Sequence, residues 1–200
     1  MKNRKIWNIR YLKNQVARRN ILFRNMIRYL WNIIYLHAED DIKEECIDVG
    51  CGNLSFWRYN LFFYRQCKKY VGIDISDIII NKNKIRFRKH KNKTFIRVSS
   101  SEFIKDLSSK VVLCMDVLFH IVDDEEVYIK TLINLCKYSK KWIILTNWYR
   151  EPINYKVSFQ KYRDFKSYQY IFIESGFELI SRYIIPVNNT GLIYVYKKVD

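Results

Sequence analysis

The chain has 200 residues, 49% of them apolar, which suits one domain with its own core and excludes a disordered segment. Lysine and arginine number 36 against 20 acidic residues, a formal charge of +16. That excess marks a candidate nucleic-acid contact, yet Lys, Asn, Ile, Tyr and Phe are abundant together. Such usage follows from an AT-rich coding sequence, so a merely solvated basic surface is the competing account.

The cysteines, Cys46, Cys51, Cys67, Cys114 and Cys136, are odd in number and form no Cys-x-x-Cys pair. They read as reduced thiols packed as small hydrophobes, which implies a cytoplasmic protein without a metal site. No signal-peptide pattern opens the chain. The apolar run Met26 to Ala38 contains Arg28 and Asn32 and is too short to span a bilayer.

Residues 4–37 read as helix, because Ile9, Leu12, Val16, Phe23, Met26, Ile27, Leu30 and Ile34 recur at steps of three and four. A helix this long predicts a break near Asn20. Residues 1–38 are therefore expected to form a basic helical cap, either packed on the core or offered to a polyanion. Residues 39–45 are acidic and read as a turn. Cys46 to Val49 is a short apolar strand carrying Asp48, and it runs into Gly50-Cys51-Gly52-Asn53. Residues 55–69 read as helix, 70–74 as a second strand ending at Asp74, and 77–88 as the next helix. The basic run 86–93 follows; together with residues 82–85 it is a candidate phosphate-contacting patch or simply a solvated helix end.

Thr94 to Val98 reads as a third strand followed by Ser99-Ser100-Ser101-Glu102. Val111 to Met115 is a buried strand ending at Asp116. Asp123 with Glu126 makes a capping-box pattern that opens a helix to about Tyr138. Trp142 to Thr146 is a fifth strand and residues 147–160 are a loop. Residues 161–175 read as helix stopped by Gly176, and 178–186 with 192–197 as a closing strand pair. Alternating strands and helices predict an α/β Rossmann-like doubly wound sheet, mostly parallel, with a C-terminal antiparallel pair and an N-terminal basic helical segment. Its strand ends gather Gly50 to Asn53, Asp74, Ser99 to Ser101 and Asp116 to His120 along one edge, where such sheets bind ligands.

The dinucleotide fingerprint Gly-x-Gly-x-x-Gly fails at Ser55, and Asp48 stands inside the strand, where dehydrogenases do not usually place a carboxylate. Asp48-Val49-Gly50-Cys51-Gly52 instead resembles motif I of the class I S-adenosylmethionine-dependent methyltransferases. Tyr70 to Ser76 resembles their second-strand motif, Asp116-Val117-Leu118-Phe119-His120 their segment after strand four, and Ser175 to Glu178 the turn before their last strands. The resemblance covers residues 44–200. It implies a methyltransferase using S-adenosyl-L-methionine, with the cofactor held by Asp48, Gly50, Cys51, Gly52, Asp74, Ile75, Ser99, Ser100, Asp116 and Val117.

In that family the glycines pass under the methionine part, Asp48 orients the loop and the ammonium group, and Asp74 accepts from the ribose hydroxyls. The adenine meets Ser99 to Ser101. Two departures stand out: relatives often carry glycine where Leu54 stands and an acid where Ser99 stands, so a weaker hydroxyl contact is expected to replace the acid, or Glu102 to substitute for it. His120 is the candidate base, against a histidine that only packs; His37 and His90 fall outside the motifs. No metal is expected. The acceptor is an oxygen or nitrogen of a small molecule or an RNA, with nucleic-acid contact assigned to the N-terminal helix and residues 82–93. The alternative is a non-catalytic cofactor- or partner-binding protein on the same fold.

Overall fold

A computed structural model describes residues 2–12, 21–58, 66–122, 124–148, 156–157, 159–185 and 191–199. The order of elements follows from where apolar runs give way to glycine or to capping residues. Helices α1 (Lys2–Leu12) and α2 (Ile21–Glu44) lead into strand β1 (Glu45–Val49) and the short helix α3 (Ser55–Arg58). Strand β2 (Lys69–Asp74), helix α4 (Asp77–Arg86), β3 (Lys93–Arg97) and β4 (Ser109–Cys114) come next. After a 3-10 turn at Leu118–His120 come α5 (Glu125–Tyr138) and β5 (Ser139–Trp148). A small hairpin, β6 (Lys156–Val157) with β7 (Gln160–Lys161), precedes α6 (Tyr170–Glu174), β8 (Phe177–Ile185) and β9 (Gly191–Lys198).

Seven strands form one sheet in the order β3-β2-β1-β4-β5-β9-β8. The first five are parallel, and β9 runs antiparallel to both β5 and β8. The expected Rossmann-like sheet is therefore present. The chain winds outward from β1 to β3 and then returns to β4 beside β1, so the crevice opens where the direction reverses. Helix α2 covers one face with Met26, Ile27, Leu30, Trp31, Ile34 and Ile42, all buried in the core on that side. Helices α5 and α6 cover the other with Leu132, Leu135, Ile171 and Phe172.

Several boundaries differ from expectation. Residues 39–44 are helical, not a turn; the chain instead bends at Ala38, whose φ of −137° leaves the helical range. The predicted break near Asn20 lies outside the described residues, as do residues 59–65 of the predicted helix 55–69. The cap of α5 is Asp124, whose carboxylate accepts from the amides of Glu126 and Val127, while Asp123 is outside the described residues. Residues 161–175 are not one helix. Lys161, Arg163 and Tyr168 all bind the Glu125 carboxylate, and Arg163 also donates to the Ile121 carbonyl. Those bonds hold the segment across the start of α5 until α6 begins. Gly176, at φ +79°, ends α6 as expected.

The loop after β1 positions the site. Gly50 and Gly52 adopt φ of +78° and +51°, and the amides of Gly50 and Cys51 both donate to the Ile73 carbonyl at the end of β2. Leu54 is left-handed too, at φ +60°, where a leucine costs roughly 1–2 kcal/mol over glycine. Its side chain is 1% exposed, and large-to-small changes at buried leucines cost about 2–5 kcal/mol. Packing outweighs backbone strain on those magnitudes. Leu54→Gly is thus expected to lower stability by about 2 kcal/mol in urea unfolding, and a variant more stable than the parent would reverse that ranking.

Candidate functional site

A cleft of about 750 Å³ opens at the carboxyl ends of β1, β2 and β4. Asp48, Gly50, Cys51, Gly52, Asp74, Ile75, Ser99, Ser100, Asp116 and Val117 all line it, and so does His120. Residues far apart in sequence are thus brought together by the parallel register, which sets Asp48 beside Gly72 and Leu113. Of the two stand-ins expected for the missing acid, Ser99 lines the cleft, while Glu102 is exposed and does not.

Each lining carboxylate is committed to a defined donor set. Asp74 accepts from the Gly52 amide at 3.0 Å and from the Ser76 amide at 2.9 Å. The amide of Asn83 closes the other side of the loop by donating to the Gly52 carbonyl at 2.8 Å. Asp48, one layer lower, accepts from the Trp57 indole at 2.7 Å and the Tyr70 hydroxyl at 2.9 Å. Burial pushes both acids up to about 6, and the hydrogen bonds hold them from rising further. Asp116 stands at φ +58° and accepts from the Trp148 indole and the Thr146 hydroxyl. Burial raises its pKa as well, against the pull of those two donors.

The glycines have no room for a side chain. A Cβ at Gly50 would sit 2.2 Å from Val117 Cγ2, and one at Gly52 would sit 2.9 Å from the Tyr11 hydroxyl. At the β3 end, the Thr131 hydroxyl donates to the Val127 carbonyl, so the Ser100 hydroxyl is the donor in its 2.8 Å bond to Thr131. The Ser100 carbonyl also accepts from Asn134, which fixes the turn at that end.

His120 donates from Nδ1 to the Phe159 carbonyl at 2.9 Å, because a carbonyl oxygen can only accept. A neutral ring then keeps its basic lone pair on Nε2. Burial lowers its pKa to about 4, with the Phe159 carbonyl opposing and the Arg10 charge adding to the shift. The other described histidines lie elsewhere: His37 bonds the Tyr183 hydroxyl at 2.7 Å, and His90 lies in the turn after α4.

Helix α1 closes the mouth. Asn8 accepts from the Ser76 hydroxyl at 2.6 Å, Arg4 pairs with Asp77, and Trp7 meets the His120 ring edge-on at 4.7 Å between centroids. Trp7, Arg10 and Tyr11 line the cleft, as do Asn83 and Gln160. None of these was singled out as a cofactor or catalytic candidate; for Trp7, Arg10 and Tyr11 the signal was their place in a helix free of acids before Glu39, and Asn83 lay in the basic stretch 82–93. Among the described residues no cluster of His, Cys, Asp and Glu could hold a metal ion. No helix among them is long and apolar enough to cross a membrane.

Residues 47–140, from β1 into the start of β5, match the family model described as a methyltransferase domain. That stretch is similar to the methyltransferase domains of class I S-adenosylmethionine-dependent enzymes, and the whole sheet has their Rossmann-like fold. Solved structures share this methyltransferase fold at low identity. The magnesium protoporphyrin IX methyltransferase of Synechocystis PCC 6803, with bound SAH, is 13% identical at a TM-score of 0.74, covering 98% of each chain. The N-methyltransferase NodS of Bradyrhizobium japonicum WM9 is 11% identical at a TM-score of 0.71, over 90% of this chain and 98% of that one. The [4+2]-cyclase SpnF is 12% identical at 0.67, over 86% and 81%. No curated protein matches the sequence.

The His120 environment gives a pH prediction. Its folded pKa, about 4, lies below the unfolded value of about 6.5, so the unfolded chain binds more protons between those values. His120 therefore removes stability as pH falls through that window. The wild type is expected to lose about 1–2 kcal/mol relative to His120→Gln between pH 7 and pH 5 in denaturant titrations. Parallel curves for the two proteins would show that the imidazole is not held neutral.

Proposed function

We propose that this methyltransferase-fold chain moves a methyl group from S-adenosyl-L-methionine to an oxygen or nitrogen of a small acceptor. The observation that carries this is the convergence of the ten candidate cofactor residues and His120 on one cleft, with Asp74 locked to the glycine loop. Gly50 and Gly52 take left-handed backbone and leave no space for a Cβ, so the loop can lie flat against a ligand.

The cofactor brings a methyl carbon already activated on a sulfonium sulfur. Asp74, oriented by the Gly52 and Ser76 amides, has lone pairs for the ribose hydroxyls. Asp116 and Asp48 place negative charge where the ammonium group would lie. Ser99 and Ser100 bound the adenine end in place of the usual acid. His120, neutral and protonated on Nδ1, offers Nε2 as the base for the acceptor's proton; holding reactants in line supplies most of the acceleration, roughly 7–11 kcal/mol. Residues 1–38 act as a cap on the 44–200 core.

A small acceptor is favoured over RNA by how α1 uses its cations. Arg4 is paired with Asp77, and Arg10 faces the cleft, so neither forms an outward basic stripe. Most of the basic run 86–93 surrounds a separate groove of about 380 Å³ at the end of α4.

Calorimetry with S-adenosylhomocysteine tests the reading. The wild type is expected to bind, and Asp74→Ala to weaken binding at least tenfold, about 1.4 kcal/mol. Absence of binding by the wild type at millimolar ligand would rule the reading out.

A further inference from the structure

Arg10 is a half-buried cation of the cleft mouth with no acidic partner among the described residues; Lys82 and Arg86, which also line the cleft, are exposed to solvent. Its guanidinium carbon lies 5.2 Å from the centre of the Trp7 ring and 4.6 Å from that of Phe159. Among the described residues its buried Nε has no hydrogen-bond partner and Arg10 makes no ion pair. The nearby acids do not serve it. Asp48, Asp74 and Asp116 are bound by Trp57 and Tyr70, by backbone amides, and by Trp148 and Thr146 respectively. A partly desolvated cation without a counter-ion is unfavourable unless an anion completes it.

The same two rings also bracket His120, which lies 4.7 Å from Trp7 and 6.3 Å from Phe159 between centroids. Arg10 and His120 thus share one aromatic-walled compartment, with Tyr11 and Phe119 completing the lining. A guanidinium beside flat rings suits a planar ligand that carries paired oxygens, since it presents parallel N–H donors to a carboxylate.

We propose that the acceptor is a small aromatic acid whose carboxylate is held by Arg10, which sets the rest of its ring beside His120. This rests on the methyltransferase reading for the word acceptor; the anion site itself does not depend on it. Filling the site would also neutralise the charge that helps keep His120 unprotonated, so acceptor binding strengthens the base. A neutral ligand of the same shape would leave both effects undone.

The test compares 4-hydroxybenzoate with 4-hydroxybenzamide by calorimetry on the full chain, with and without saturating S-adenosylhomocysteine. The acid is expected to bind at least tenfold more tightly than the amide. Arg10→Gln should bring the acid down to the level of the amide, with S-adenosylhomocysteine affinity within twofold of wild type. Arg10→Lys should restore part of the preference, which a purely packing role for the arginine would not produce. Imidazole NMR should show the His120 pKa rising with the acid and not with the amide. Equal binding of acid and amide by the wild type, or a preference that survives in Arg10→Gln, overturns the proposal. Failure of the wild type to bind S-adenosylhomocysteine would sink the cofactor reading instead, since the acid and amide are also compared without it.

Discussion

The hydrogen bond from the Gly52 amide to the Asp74 carboxylate is the contact on which the rest of the site depends. It joins the end of β2 to the loop after β1, across the gap between two parallel strands. The Ile73 carbonyl reinforces it by accepting two amides from the same loop, and Asn83 closes it from α4. The loop must be left-handed at Gly50 and Gly52 to make those bonds, and Leu54 is forced into the same region beside them. A buried carboxylate holding backbone amides is expensive to ionise, and Asp74 shows it by its raised pKa. The arrangement is therefore preorganised for hydroxyl donors that would complete the solvation of that acid.

Around this junction the molecule is built in layers. Asp48 lies beneath the loop and is tied to Trp57 and Tyr70, so the floor of the cleft cannot move independently of α3 and β2. Helix α1 lies above it through Asn8, Arg4 and Tyr11, each reaching residues at or just past the ends of β1 and β2. One consequence is that the two ends of the cleft share walls. Tyr11 touches the glycine loop on one side, while Trp7, one helical turn earlier, packs on His120.

Much of this was legible in the chain itself. The apolar runs with Asp48, Asp74 and Asp116 at or near their ends mark parallel strands because a strand buried on both faces leaves no alternation to confuse the pattern. The loop was legible because Gly-x-Gly admits few conformations that a substituted residue could share. What escaped was set by long-range side-chain bonds. Residues 161–175 have helical periodicity, but Glu125 binds Lys161, Arg163 and Tyr168, and that network overrides local propensity. Arg10 looked like one basic residue among many, because nothing local shows that a helix will turn it onto Phe159, more than a hundred residues away. The adenine end left a choice between a serine hydroxyl and Glu102, and the turn that Ser100 makes with Thr131 and Asn134 leaves Glu102 outside.

The central claim is that ionised Asp74, presented by the glycine loop, is what the ribose hydroxyls meet. The most direct measurement is the affinity for S-adenosylhomocysteine as a function of pH, compared with the same series for Asp74→Asn. Because the carboxyl titrates at about 6 in the ligand-free protein, wild-type affinity should be level above pH 7 and fall several-fold by pH 5, as protonation removes the acceptor. The variant should bind weakly, with a shallower dependence. A wild-type affinity unchanged across that range, or equal profiles for the two proteins, would contradict the account.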